Sequence, residues 1–183
     1  MASGGDLTLM ILGFLNQRPM HGYELKARLT ELSGHLRPVS DGALYPAIAR
    51  MAAKGLLERH EEEGVAAARR QVLTITAEGR EELLRRLREP SELDISDQTR
   101  FFALLTFLSA LGDPSLQAEV LRSRLAFLEA PTSFFYEGGR PLRAEDTPDP
   151  FHRGMLLIAR ATGAAERQWL EETIAELSAA QVR

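Results

Sequence analysis

The run LTLMILGFL, Leu7 to Leu15, constrains this chain more than any other stretch, because a helix with so few polar positions has to be wrapped by other elements. It resembles the core of a signal peptide. Yet it follows Asp6 with no Lys or Arg before it, and Arg18 and Pro19 follow where a small-residue cleavage site would stand. The reading is therefore a buried first helix from about Leu7 to Gln17, with Asp6 as N-cap, in a cytoplasmic protein with no membrane association. At 183 residues the chain suits one compact domain with an appendage, or two small domains that help each other bury a core.

Around that first helix the pattern continues in short pieces. "QRPMHG" reads as a turn by its Pro and Gly. A second helix starts near Gly22, with Tyr23, Leu25, Leu29 and Leu32 as its apolar stripe and Gly34 as its stop. The third, "SDGALYPAIARMAAKGLLE" from Ser40 to Glu58, has Leu44, Ile48 and Met51 at helical spacing and ends at Gly55. "LLERHEEEGVAAARRQVLTIT" then sets two short apolar runs around a polar tip at Gly64, a long-looped β-hairpin. A fourth helix follows from Ala77 and stops before Pro90. Three short helices followed by a hairpin is the order of a winged helix-turn-helix.

The remainder has a different composition. "REPSELDISDQ" reads as a linker, and "TRFFALLTFLSALG" is apolar almost all round. "SLQAEVLRSRLAFLE" is an amphipathic helix, and a last helix near Met155 to Ala180 carries Trp169, Leu170, Thr173, Ile174 and Leu177. A long Pro- and Gly-rich connection lies between them. The expected fold is mainly α with a small β-hairpin: a winged helix-turn-helix domain over 1–90 and an α-helical dimerisation domain over 91–183.

The formal net charge of -4 does not suggest a nucleic-acid partner, but its distribution permits one. Residues 1–90 hold 13 basic against 12 acidic residues and residues 91–183 hold 9 against 14, so a DNA surface has to be a local patch in the first half. Helix three offers one. If Leu44, Ile48 and Met51 face the core, Ala43, Ala47, Arg50 and Lys54 form the outer face, small in its first half and basic in its second. Small residues let a backbone approach base edges, and long cations reach phosphates. Ser40 is placed to cap the helix and donate to a phosphate, and Gly42 removes a side chain at the point of approach. Pro46 costs one hydrogen bond in the first turn and stiffens the entry, holding Tyr45 beside the groove. In the hairpin, Arg69 and Arg70 are placed where a wing would touch the DNA backbone.

Other chemistry finds little support. There is no cysteine, and the histidines at 21, 35, 60 and 152 are scattered without ligand spacing, so no metal and no cofactor is expected. No Gly-x-Ser-x-Gly elbow occurs, "EGGRPL" lacks the Lys-Ser/Thr ending of a phosphate loop, and Glu61 to Glu63 read as a solvated wing. An enzyme is not expected.

In "LMILGFLNQRPMHGYELKARL", "GALYPAIARMAAKGLLE" and "LTITAEGREEL" the sequence resembles the PadR family of bacterial transcriptional regulators, through His-Gly-Tyr-Glu-Leu, Leu-Tyr-Pro and Thr-x-x-Gly in order. The resemblance covers about the first half of the chain. It implies a DNA-reading third helix, contacts from Tyr23, Gly42, Tyr45, Pro46, Arg69 and Arg70, a homodimer formed by the helical C-terminal part, and a repressor of transcription. Two departures weaken the expected wing contact. This chain has "EGVAAARR" where the family's wing is richer in Gly and Arg, and Val72 and Leu73 where its second strand carries tyrosines.

The dimer interface is expected at Phe101, Phe102, Leu105, Leu108, Trp169, Leu170, Ile174 and Leu177, giving two reading helices for a pseudo-palindromic site. Phe101, Phe102, Phe107, Phe134, Phe135, Tyr136 and Trp169 are candidates to line a pocket for a small apolar effector, or to serve as core and interface. The rival reading is a winged-helix scaffold for protein partners without specific DNA binding, favoured by the acidic second half and the weak wing.

Overall fold

Ile11, Leu12 and Leu15 are the centre of the first structural unit; each is 0 or 1% exposed, and Leu7, Leu9, Met10 and Phe14 around them are buried as well. The computed structural model describes residues 4–33, 39–62, 70–130, 136–137 and 140–180. It divides into two compact units, Met1–Gly112 and Asp113–Arg183.

In the first unit, helix α1 (Gly4–Gln17) contacts α2 (Gly22–Ser33), α3 (Asp41–Ala53), α4 (Ala77–Arg88), α6 (Gln98–Phe107) and the strand β3 (Arg70–Ile75). The helix starts before Asp6, so that residue lies inside it and is not its N-cap. The hairpin pairs β2 (Leu57–Glu62) with β3 antiparallel, from Leu57 opposite Ile75 to Glu62 opposite Arg70. A third strand, β1 (Met20–His21), pairs with β3 through Met20–Leu73 and His21–Val72, where the sequence suggested only a turn. Two residues carry no periodicity of their own; the free edge of β3 decides their conformation. Gly34, expected to stop α2, lies outside the described residues.

The Thr-x-x-Gly motif ties this sheet to α4. Thr76 caps the helix by accepting from the Gly79 amide at 3.0 Å, and its hydroxyl donates to the Gly55 carbonyl at 2.6 Å. Gly79 packs so closely on the Leu56 carbonyl that a Cβ there would overlap backbone.

The expected linker is structured. Ser91 and Asp94 form a reciprocal capping box that starts the short helix α5 (Glu92–Ser96), and Asp97 caps α6 by accepting from the Arg100 amide. Arg100 donates through Nε and Nη2 to Asp94 Oδ1, at 2.9 and 2.7 Å. Segment 91–112, whose α6 ends in a 3-10 turn at Leu108–Leu111, therefore lies in the first compact unit, while the expected boundary fell at residue 90. Phe107 sets its ring edge-on to Phe14, with centroids 5.0 Å apart, and covers Gly13 so tightly that a Cβ would enter the ring.

The second unit is built on α7 (Pro114–Glu129) against α8 (Pro150–Ala180), with a small hairpin of β4 (Tyr136–Glu137) and β5 (Arg140–Pro141) between them in sequence. α8 begins five residues before the expected Met155, where Asp149 accepts from the amides of Phe151 and His152. Arg124 of α7, 3% exposed, makes a two-pronged ion pair with Glu166 of α8 at 2.8 and 3.2 Å. A buried charge left alone is costly, so this pair fixes how the two helices match.

Two outcomes follow for stability. Gly13→Ala improves intrinsic helix propensity by about 1 kcal/mol, yet overpacking against Phe107 should make the variant less stable by about 1–3 kcal/mol, measured by urea denaturation. Burial pushes the Asp94 carboxyl up, but hydrogen bonds from Ser91 and Arg100 outweigh it and hold the group below its ordinary value. A carboxyl lowered by folding stabilises above its unfolded pKa of about 3.9 and loses that contribution as pH falls through the folded value. Asp94→Asn should therefore be less stable than wild type at pH 7, with the gap closing below about pH 4 in thermal melts.

Candidate nucleic-acid interface

Helix α3 owes its orientation to four buried residues, Leu44, Ala47, Ile48 and Met51. Ala47 is 4% exposed and packs with the core, so it cannot meet DNA as the sequence reading supposed. The face Ala43, Ala47, Arg50 and Lys54 lies beside the core stripe and is not opposite it. At about 100° per residue, the outermost line of the helix instead runs through Gly42, Pro46, Ala49 and Ala53, all exposed. Ala49 and Ala53 were missed in the sequence because only three of the four core positions were assigned; placing Ala47 inward turns the outer face by roughly a quarter turn.

Tyr45 and Arg50 flank this line. Tyr45 is 49% exposed, and its ring rests on Gly22, where a Cβ would come within 3.4 Å of Cε1. Tyr23, in the first turn of α2, is 63% exposed and stands outside its helix's core stripe of Leu25 and Leu29; its ring stacks on His21, with centroids 5.4 Å apart. His21 Nδ1 lies 3.3 Å from the Gln71 carbonyl of β3. The His-Gly-Tyr-Glu-Leu block thus joins the sheet edge to the front of α3, while Glu24 pairs with Arg18. Lys26 of α2 pairs with Asp41 at 2.8 Å, compensating the one carboxylate in the first turn of α3.

The remaining candidates fall as follows. Ser40 is the N-cap by backbone geometry, its carbonyl accepting from Ala43 and Leu44, but its hydroxyl makes no cap bond, contrary to expectation. Gly42 faces open space. Ala43 is exposed at the edge of the face. Arg50 and Lys54 are exposed and carry no ion pair among the described residues. Arg69 and the side chain of Arg70 lie outside the described residues; the Arg70 backbone closes the hairpin opposite Glu62.

Of the expected interface residues, Phe101, Leu108 and Leu170 are buried in the single chain at 0, 6 and 0%. Phe102 and Trp169 are exposed, and Leu105, Ile174 and Leu177 are half-buried. Phe101 and Phe107 are core residues, 0 and 3% exposed; Phe134 and Phe135 lie outside the described residues. No group of three His, Asp or Glu among the described residues is placed to hold a metal, and no described helix is long and apolar enough to cross a membrane.

Residues 11–85 match the transcriptional regulator PadR-like family. The match ends within α4, so it takes in α3, the sheet and the Thr76–Gly79 junction. An uncharacterized 37.1 kDa protein in transposon TN4556 of Streptomyces fradiae is 38% identical over 80 residues, 44% of this chain and 21% of that protein. The chain therefore corresponds to about a fifth of the length of that relative. Among solved structures, a transcriptional regulator from Clostridium thermocellum is similar at 26% identity and TM-score 0.40, covering 43% of this chain and 74% of that one. PadR of Bacillus subtilis in complex with operator DNA is similar at 21% identity and TM-score 0.45, covering 93% and 97%.

The burial of α3 separates two kinds of substitution. Ala47→Arg should destabilise the fold by several kcal/mol, because a charge would enter a core position. Arg50→Ala and Lys54→Ala should each change stability by no more than about 0.5 kcal/mol, measured by thermal denaturation.

Proposed function

We propose that this chain is a sequence-specific DNA-binding transcriptional regulator that acts as a homodimer. The observation that carries this is the exposed front of α3: a line of small residues open to solvent, flanked by Tyr45 and by two cations without ion pairs among the described residues. A major groove accepts an α-helix of this profile, with the cations reaching phosphates or a guanine edge. The match of residues 11–85 to the transcriptional regulator PadR-like family supports the same role. We assign DNA contacts to Tyr23, Ser40, Gly42, Ala43, Tyr45, Pro46, Arg50 and Lys54, and to Arg69 and Arg70 on the wing. DNA reading belongs to residues 1–90, and dimerisation and effector response to 91–183.

The dimer is supported by the apolar surface of α8. Phe151, Ile158 and Trp169 are 85, 70 and 44% exposed, and their spacing puts them on one face of the helix. A second copy covering that face in two-fold symmetry would set two α3 helices for half-sites about 34 Å or a multiple apart. Repression is the sign of regulation we assign, with a small apolar effector as the releasing signal; both follow the family resemblance of the three motifs.

Fluorescence anisotropy on the DNA upstream of the chain's own gene and on pooled genomic fragments, against a scrambled duplex at two salt concentrations, tests the assignment. Sequence-dependent binding that weakens steeply with salt is expected. Replacing Arg50, Lys54, Arg69 and Arg70 together by Ala should abolish it while leaving the melting temperature unchanged. Equal, weak binding to every duplex would make the chain a winged-helix scaffold for protein partners.

A further inference from the structure

We infer that the groove between α3 and strand β2 is a binding site for the phosphodiester backbone of one DNA strand, with Arg59 as its phosphate ligand. The inference rests on the DNA-binding role proposed above and adds a contact outside the residues assigned there. At about 100° per residue, Arg50 and Lys54 stand on one flank of the outermost line of α3, and Tyr45 and Ala52 stand on the other. A helix about 10–12 Å across fills a major groove about 12 Å wide, so a sugar-phosphate strand runs along each of its flanks. On the first flank two cations of α3 meet that strand. On the second flank α3 has no cation, and the charge has to come from another element.

That second flank opens on a groove of about 570 Å³, lined by Ala49 and Ala52 of α3 and by Leu57, Glu58, Arg59 and His60 of β2. Side chains alternate along a strand, so Arg59 shares the core-side face of the sheet with Leu57 and stands opposite the buried Leu73 of β3. Arg59 is exposed and makes no ion pair or hydrogen bond among the described residues. Glu58 and His60 project from the other face and meet each other there, His60 Nε2 lying 3.2 Å from Glu58 Oε2. Glu61, the next residue on the Arg59 face, does not line the groove. The guanidinium therefore borders carbon on the α3 side, where the two alanines keep the wall low enough for a strand to approach β2. A phosphate offers its fork two acceptor oxygens at once, a pairing stronger than a neutral hydrogen bond.

The test uses the full chain on a duplex selected by it from a random pool, and on a scrambled duplex. Arg59→Gln should weaken binding roughly tenfold for each half-site, the loss of a charge-assisted hydrogen bond. It should also lower the slope of log affinity against log salt by about 0.9 for each protomer, one phosphate contact. Both duplexes should be affected alike, because a phosphate carries no sequence. Arg59→Lys should restore the slope, and the melting temperature should stay unchanged in both variants, since the side chain is exposed. Neutral methylphosphonate links, placed one at a time, should weaken the wild type on both strands beside α3, and Arg59→Gln should lose that sensitivity on one strand alone. An Arg59→Gln variant with the wild-type slope and methylphosphonate profile would overturn the inference and leave the DNA-binding role standing. A wild-type chain that binds neither duplex would overturn that role, and this inference with it.

Discussion

Everything in the first unit depends on one helix that has almost no face to give to water. Ile11, Leu12 and Leu15 of α1 reach full burial only because α2, α3, α4, α6 and β3 each take part of the surrounding surface. Burying one such side chain is worth about 1.5–3 kcal/mol, and a helix this apolar is not stable alone. Its neighbours are under a matching constraint: each must turn an apolar stripe inward, which leaves the opposite stripe as the outer surface. The outer face of α3 is the outcome of that requirement as much as of its own residues.

The family motifs work as joints between these neighbours. Leu44 anchors α3 in the core while Tyr45 leans on Gly22 and Pro46 stays outside, so three consecutive residues set the depth, tilt and front of one helix. Thr76 and Gly79 hold α4 against the chain at Gly55 and Leu56, where α3 passes into β2, so the sheet and α3 share an attachment. In the second unit the Arg124–Glu166 pair has a comparable part, since removing either partner would leave the other charge buried and uncompensated.

Segment 91–112 and the expected interface residues illustrate one limit of sequence patterns. A stretch with Pro, Ser and several carboxylates reads as a linker, but Ser91, Asp94 and Asp97 are the residues that cap short helices. Apolar content in α6 reads as interface, yet Phe101 and Phe107 are satisfied by α1 and its surroundings within one chain. Hydrophobicity states that a residue must be covered; it does not state by what.

The sequence by itself determined the helical order, the hairpin, the start and stop of α3 and α4 within a residue or two, and the motif residues that knit them. Periodicity, capping residues and glycines act locally, and their signal is complete in a short window. Tertiary structure alone decided the rotation of α3, which turns Ala47 inward and brings Ala49 and Ala53 to the front, because an alanine fits either side of a helix and takes the side its neighbours leave. It also decided that Met20 and His21 form a strand and that 91–112 packs in the first unit. Those choices depend on which edges and grooves are vacant, and a vacancy exists only once the chain has folded.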